Sequence, residues 1–255
     1  MDLSCSLEFR STYRSNSQIA RVLTENWFAG QMYCPACDSG TLVPSPNNCP
    51  GIDFTCPKCA LSAQLKSRRT ALTNRIVDAG YDAMIRAIRS ERAPNLFLLR
   101  YSQAWSIIDL LLIPSFFFTE SVIQKRNPLS PLARRAGWVG CNILLGNIPK
   151  DGRIPVVARG VATNPSQVRE AYLRLQPFRS ISMSARGWTL DILNVLRKLG
   201  KKDLSLSDFY QFERHLQDLH PNNKNVRPKI RQQLQVLRDL GYVAFEGDGH
   251  YRVLR

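Results

Sequence analysis

Asp53, Gln64 and Lys66 are the residues of this chain best suited by type and spacing to chemistry. They lie in the stretch "IDFTCPKCALSAQLKS", residues 52 to 67. Side chains at i and i+2 of a strand face the same way, so Gln64 and Lys66 point together, and a hairpin would bring Asp53 beside them. A carboxylate, a second oxygen donor and an ammonium at one spot can hydrolyse a phosphodiester. The oxygens hold Mg2+, which polarises the phosphate and acidifies a water. The ammonium orients the nucleophile and offsets developing charge. Asp and Lys fall near each other by chance in most proteins, so the reading depends on what surrounds them.

The surroundings include four cysteines, Cys34-Pro-Ala-Cys37 and Cys56-Pro-Lys-Cys59, with 18 residues between the pairs. That spacing matches a tetrahedral zinc site built from two Cys-x-x-Cys turns. It predicts one structural Zn2+, with the knuckle inside the hairpin that carries Asp53 and Lys66. Cys49 lies in the intervening loop and is a possible substitute ligand. Cys5 and Cys141 read as buried small side chains.

The elements that must position these groups follow from composition and pattern. Across 255 residues, 35 Lys and Arg face 20 Asp and Glu, a net charge of +15. The excess is spread through the chain, +5 from Ser184 onward and +10 before it, and it points to nucleic acid as the partner. The longest apolar run, "IIDLLLIPSFFF", is broken by Asp109 and Pro114. No membrane span and no export segment are expected, and the protein is expected to be cytoplasmic.

Ile19, Val22, Leu23 and Trp27 mark one face of a helix from Ser15 to about Gly30. Residues 74 to 91 read as a second helix. "NLFLLRYS", "IIDLLLIP" and "WVGCNILL" read as buried strands, and "NPSQVREAYLRL" as a helix. This mixture predicts an α/β domain over residues 1–183. From Ser184 the texture changes to three amphipathic helices and a hairpin around "GDG", the element order of a winged helix-turn-helix over residues 184–255.

On these residues the chain resembles a known family. Asp53, Gln64 and Lys66 look like the PD-(D/E)XK nuclease motif. "TYRSNSQIARVLTENW", the two Cys-x-x-Cys pairs, "LSPLARRAGWVGCNI", "SARGWTLDILN" and "IRQQLQVLRDLG" resemble the DpnI-like methyl-directed restriction endonucleases along essentially the whole chain. The resemblance implies a Mg2+-dependent type II endonuclease that cuts duplex G-A-T-C carrying N6-methyladenine. It also implies a zinc-bearing catalytic domain and a winged helix that both read the methylated site. One residue departs from the pattern: Gln64 stands where the family has Glu, so the site loses a negative charge. Glu25 on the first helix is the upstream acid that could compensate.

Base edges in the major groove are read by Arg and Lys at guanine and by Asn and Gln at adenine. In "NNKNVRPKIRQQLQ" the spacing of Val226, Ile230, Leu234 and Leu237 makes the buried face. Arg227, Lys229, Arg231, Gln232, Gln233 and Gln235 are left as candidate DNA contacts. An N6-methyl group calls for an apolar or aromatic wall, and Trp138, beside Arg134 and Arg135, is the candidate in the first domain. Trp188 is expected in the core of the first winged-domain helix. Two other classes stay open on sequence alone: a catalytically silent reader of methylated DNA, and a zinc-containing regulator whose α/β domain binds something else.

Overall fold

The computed structural model describes every residue except Phe9, Asn47, Asn48 and Pro50. Helix α1 (Asn16–Gln31) buries Leu23, Trp27 and Phe28. Three strands follow: β1 (Val43–Pro44), β2 (Phe54–Thr55) and β3 (Ser62–Arg68). Next come β4 (Arg75–Gly80), α2 (Tyr81–Arg89), β5 (Asn95–Tyr101) and β6 (Ile107–Ile113). After β7 (Ile123–Lys125) and β8 (Gly140–Leu144), the strands β9 (Ile154–Ala158) and β10 (Val161–Ala162) lead into α3 (Pro165–Arg174). Asn164 caps α3 by accepting the Ser166 N–H.

Seven strands form one sheet in the order β1-β2-β3-β5-β6-β9-β10, and β4-β8-β7 form a second. β3 and β5 run parallel, while the other pairs of the large sheet are antiparallel. β5 is buried along almost its whole length, as its continuous apolar run requires. Phe28 of α1 packs on Phe54 and Phe97, with ring centroids 4.6 and 4.9 Å away, and this fixes α1 across the strands that carry the candidate site.

Residues 74 to 91 are not one helix. The first part is β4, buried at alternate positions Ile76 and Asp78, and only Tyr81–Arg89 is helical. Alternating burial has period two, so Ile76 and Val77 belong to a strand although Met84, Ile85 and Ile88 have helical spacing.

The C-terminal part comprises α4 (Met183–Leu199), β11 (Asp203–Ser205), α5 (Leu206–Tyr210), α6 (Glu213–Leu219), α7 (Val226–Asp239), β12 (Val243–Gly247) and β13 (His250–Val253). Its sheet runs β11-β13-β12. Gly200 ends α4 at φ +62°, a left-handed position that suits glycine. Ser205 and Asp208 form a capping box that starts α5. The segment expected as one second helix is two, α5 and α6, broken at Gln211 and Phe212. The "GDG" turn carries positive φ at Gly247, Asp248 and Gly249, which closes the β12–β13 hairpin.

Helix α4 is buried on all sides from Arg186 to Leu196. Asp191 Oδ1 accepts the Ser121 hydroxyl at 3.0 Å, and its Oδ2 lies 2.7 Å from His220 Nε2. Arg197 makes a two-pronged pair with Asp151 at 2.6 and 2.8 Å, and Asn194 donates to the Gly146 carbonyl. A helix with polar groups on a buried face must find partners for them, and here Ser121, Gly146 and Asp151 of the N-terminal part and His220 of the C-terminal part supply them. Trp188 is buried and stacks on His220 at 3.9 Å between ring centroids. Among the described residues no helix is long and apolar enough to cross a membrane.

Candidate active site

β2 and β3 are antiparallel neighbours with Phe54 opposite Ala63, and Asp53 stands just before β2 at the same end of the pair. The Asp53 N–H donates to the Ala63 carbonyl at 2.9 Å, and Asp53 Oδ2 accepts the Leu65 N–H at 2.8 Å. In an extended strand the N–H and C=O of one residue leave the same edge. The Leu65 carbonyl therefore leaves β3 on the Asp53 side. Gln64 and Lys66 project together from one face of β3. The opposite face carries Ser67, whose hydroxyl lies 3.0 Å from Thr24 Oγ1 of α1. The structure thus ties the Asp53 carboxylate to the Leu65 backbone of β3, the strand that bears Gln64 and Lys66.

Lys66 has a partner that spacing did not reveal. Its Nζ lies 2.6 Å from Asp78 Oδ1 on β4, in the other sheet. Glu25, the upstream acid expected from the sequence, lines a cavity of about 350 Å3 with Asp53, Arg21, Asn26, Ser45 and Cys49. Glu25 bonds Arg21 at 2.7 Å, and that bond, with a smaller pull from Asp53, raises the Arg21 guanidinium above its ordinary range.

The four cysteine sulfurs lie within 4.8 Å of one another. Cys34–Cys59 and Cys37–Cys56 are each 3.6 Å apart. Tetrahedral zinc with Zn–S bonds of about 2.3 Å sets its sulfurs about 3.8 Å apart, so the cluster can hold structural zinc. Burial pushes the Cys34 thiol up. At Cys56, burial acts in the same sense but the Cys59 and Lys58 N–H groups prevail and bring it down to about 6. Only Cys56 and Cys59 sit in the β2–β3 hairpin. Cys34 and Cys37 come from the turn after α1, so the knuckle clamps the hairpin to α1 instead of lying inside it. Arg169 of α3 braces that turn by donating to the Cys34 and Ser39 carbonyls at 3.0 Å each. Cys49 is exposed and outside the cluster, while Cys5 and Cys141 are buried.

Trp138 is half-buried, and its indole lies over two glycines paired across β4 and β8, Gly80 and Gly140. A Cβ on Gly140 would meet the ring at 2.8 Å, so glycine at that position leaves the indole room to lie there, while one on Gly80 would sit at 3.4 Å, in ordinary contact with it. The Arg135 guanidinium stacks 4.8 Å above it, and Arg134 is exposed in the same loop.

On α7, Gln232 and Gln235 point directly away from the buried face at 100° per residue, and both are exposed. Arg227 and Arg231 are exposed on one flank, where they bond Glu213 and the Tyr210 hydroxyl at 2.8 Å each. Lys229 is half-buried on the other flank, 2.8 Å from Gln232 Oε1. Gln233 is corrected: it is 1% exposed, and its Oε1 accepts the Thr189 hydroxyl at 2.6 Å. It lies between α4 and α7 and cannot reach a base edge.

Comparison with known families gives two matches. The model DpnI, described as Dam-replacing family, matches residues 1–181. The model DpnI_C, described as Dam-replacing HTH domain, matches residues 184–253.

Proposed function

This chain belongs to the Dam-replacing family, with the DpnI-like methyl-directed restriction endonucleases, and on that premise we propose that it hydrolyses duplex DNA at G-A-T-C sites carrying N6-methyladenine. The observation that carries the chemistry is the Asp53–Leu65 hydrogen bond, which holds a carboxylate beside the strand bearing Gln64 and Lys66. The donors there are all hard oxygens, one carboxylate and two carbonyls, the set that suits Mg2+. When bound, Mg2+ supplies charge neutralisation at the phosphate and a more acidic water. Asp53 and the Gln64 and Leu65 carbonyls would hold the ion, and the Lys66 ammonium would orient the attacking water and offset charge on the phosphate. Glu25 lines the Asp53 cavity, but its charge is met by Arg21 in the same cavity, so it makes up for Gln64 only if that pair opens. The zinc cluster is structural, because its four sulfurs leave no coordination position for substrate.

DNA is read from two sides in this account. Trp138 provides the wall for the methyl group, with Arg134 and Arg135 on the backbone. Gln232, Gln235, Arg231, Arg227 and Lys229 present α7 to the major groove. One observation favours a second reading. Among Asp53, Gln64 and Lys66 the only anion is Asp53, which leaves a silent methyl reader as the rival. Incubation of the protein and Mg2+ with paired methylated and unmethylated plasmids separates them: cutting of the methylated plasmid alone is expected, and binding without cutting would favour the silent reader.

A further inference from the structure

Asp78 is a carboxylate on the buried face of β4, its side chain 3% exposed, and among the described residues its ion-pair partner is Lys66, 25% exposed, at 2.6 Å. The contact joins two sheets, since Lys66 is on β3 of the large sheet and Asp78 on β4 of the small one. The approach is off the hydrogen-bonding direction, so Oδ1 has no aligned donor. The backbone at this point is irregular. Val77 pairs with Asn142 and Gly80 with Gly140, so Asp78 and Ala79 together face Cys141 alone. Cys141 donates its thiol to the Ala79 carbonyl there at 3.3 Å. A bulge re-aims a side chain that a regular strand would direct elsewhere. A buried carboxylate is costly unless a cation meets it. Ile76, on the same face of β4, is core, so an apolar residue at position 78 would suit packing better.

We infer that Asp78 is a positioning residue for Lys66: the bulge in β4 aims a buried carboxylate that holds the ammonium on the Gln64 side of β3. The inference rests on the nuclease reading above, in which Lys66 acts at the phosphate. Asp78 acts through Lys66 and does not itself touch substrate or ion. Two residues further along β4, Gly80 forms part of the floor under Trp138, so the strand that fixes the lysine also seats the indole.

Asp78→Asn keeps the shape and removes the charge. With full-length zinc-loaded protein on methylated plasmid, the single-turnover cleavage rate should fall at least tenfold. Affinity for a methylated duplex, measured in Ca2+, should stay within threefold. Combining Asp78→Asn with Lys66→Met should cut no more slowly than Lys66→Met alone, because one residue works through the other. Asp78→Glu keeps the charge but moves its seat, and should cut more slowly than wild type with unchanged affinity; it decides the matter if the Asn variant does not fold. A wild type that does not cut overturns the nuclease reading and this inference with it. A wild type that cuts, with Asp78→Asn or Asp78→Glu cutting at the same rate or losing rate and affinity together, overturns this inference alone.

Discussion

The Leu65 N–H donates to Asp53 Oδ2 at 2.8 Å, so the strand that bears Gln64 and Lys66 also holds the carboxylate that faces them. Asp53→Ala would strand that N–H and confound lost chemistry with lost geometry, whereas Asp53→Asn keeps an acceptor for it. Asp53→Asn and Lys66→Ala should each slow cutting of methylated plasmid by about 100-fold or more, the scale of losing one preorganised charge. Binding of methylated duplex should stay within a few-fold in both. If binding and cutting fall in parallel, these residues hold the fold and not the chemistry.

The zinc cluster ties the turn after α1 to the β2–β3 hairpin, and Asp53 begins that hairpin. One zinc per chain is expected by elemental analysis. Removing it with a strong chelator should abolish cutting and expose the Asp53–Lys66 segment to protease, because metal binding and folding are coupled. Cys56→Ser should do the same. Fully active protein without zinc would contradict this.

Gln233 joins α7 to α4 through Thr189. Gln233→Ala should therefore destabilise the protein by about 1–3 kcal/mol through the lost buried hydrogen bond and the space left between α4 and α7, while the Thr189 hydroxyl keeps the Ala185 carbonyl. Thermal unfolding will register it. Arg231→Ala should leave stability nearly unchanged and weaken specific DNA binding by about 1–3 kcal/mol if it reaches a base edge. The opposite assignment of effects would return Gln233 to the DNA surface.

Gly140→Ala places a methyl 2.8 Å from the Trp138 ring, so the indole must shift. If Trp138 is the wall for the N6-methyl group, the ratio of cutting rates on methylated and unmethylated plasmid should fall severalfold while zinc content is retained. An unchanged ratio would leave methyl reading to α7.

Much of this was legible in the sequence. Helix α1, strands β5 and β6, the Cys-x-x-Cys spacing and the helix–hairpin order of the C-terminal part each carry a local period or spacing. What escaped was set at long range. No local pattern announces that Asp78 meets Lys66 across two sheets; Glu25 was legible as a candidate acid on the first helix, but not that Arg21 would hold it. β4 was hidden because its short strand pattern runs straight into the helical pattern of α2. Gln233 is legible from spacing: it stands three residues after Ile230 and four before Leu237, on the buried face, and only its polar type points outward.

The most direct test is the Mg2+ dependence of cutting by the wild type and by Gln64→Glu on methylated plasmid. The glutamine carbonyl still offers an oxygen but lacks a charge, so the wild type should cut and Gln64→Glu should need less Mg2+ for half-maximal cutting. A wild type that cuts at no level of Mg2+ or Mn2+, beside a Gln64→Glu variant that cuts readily, would contradict the account and make the protein a silent reader of methylated DNA.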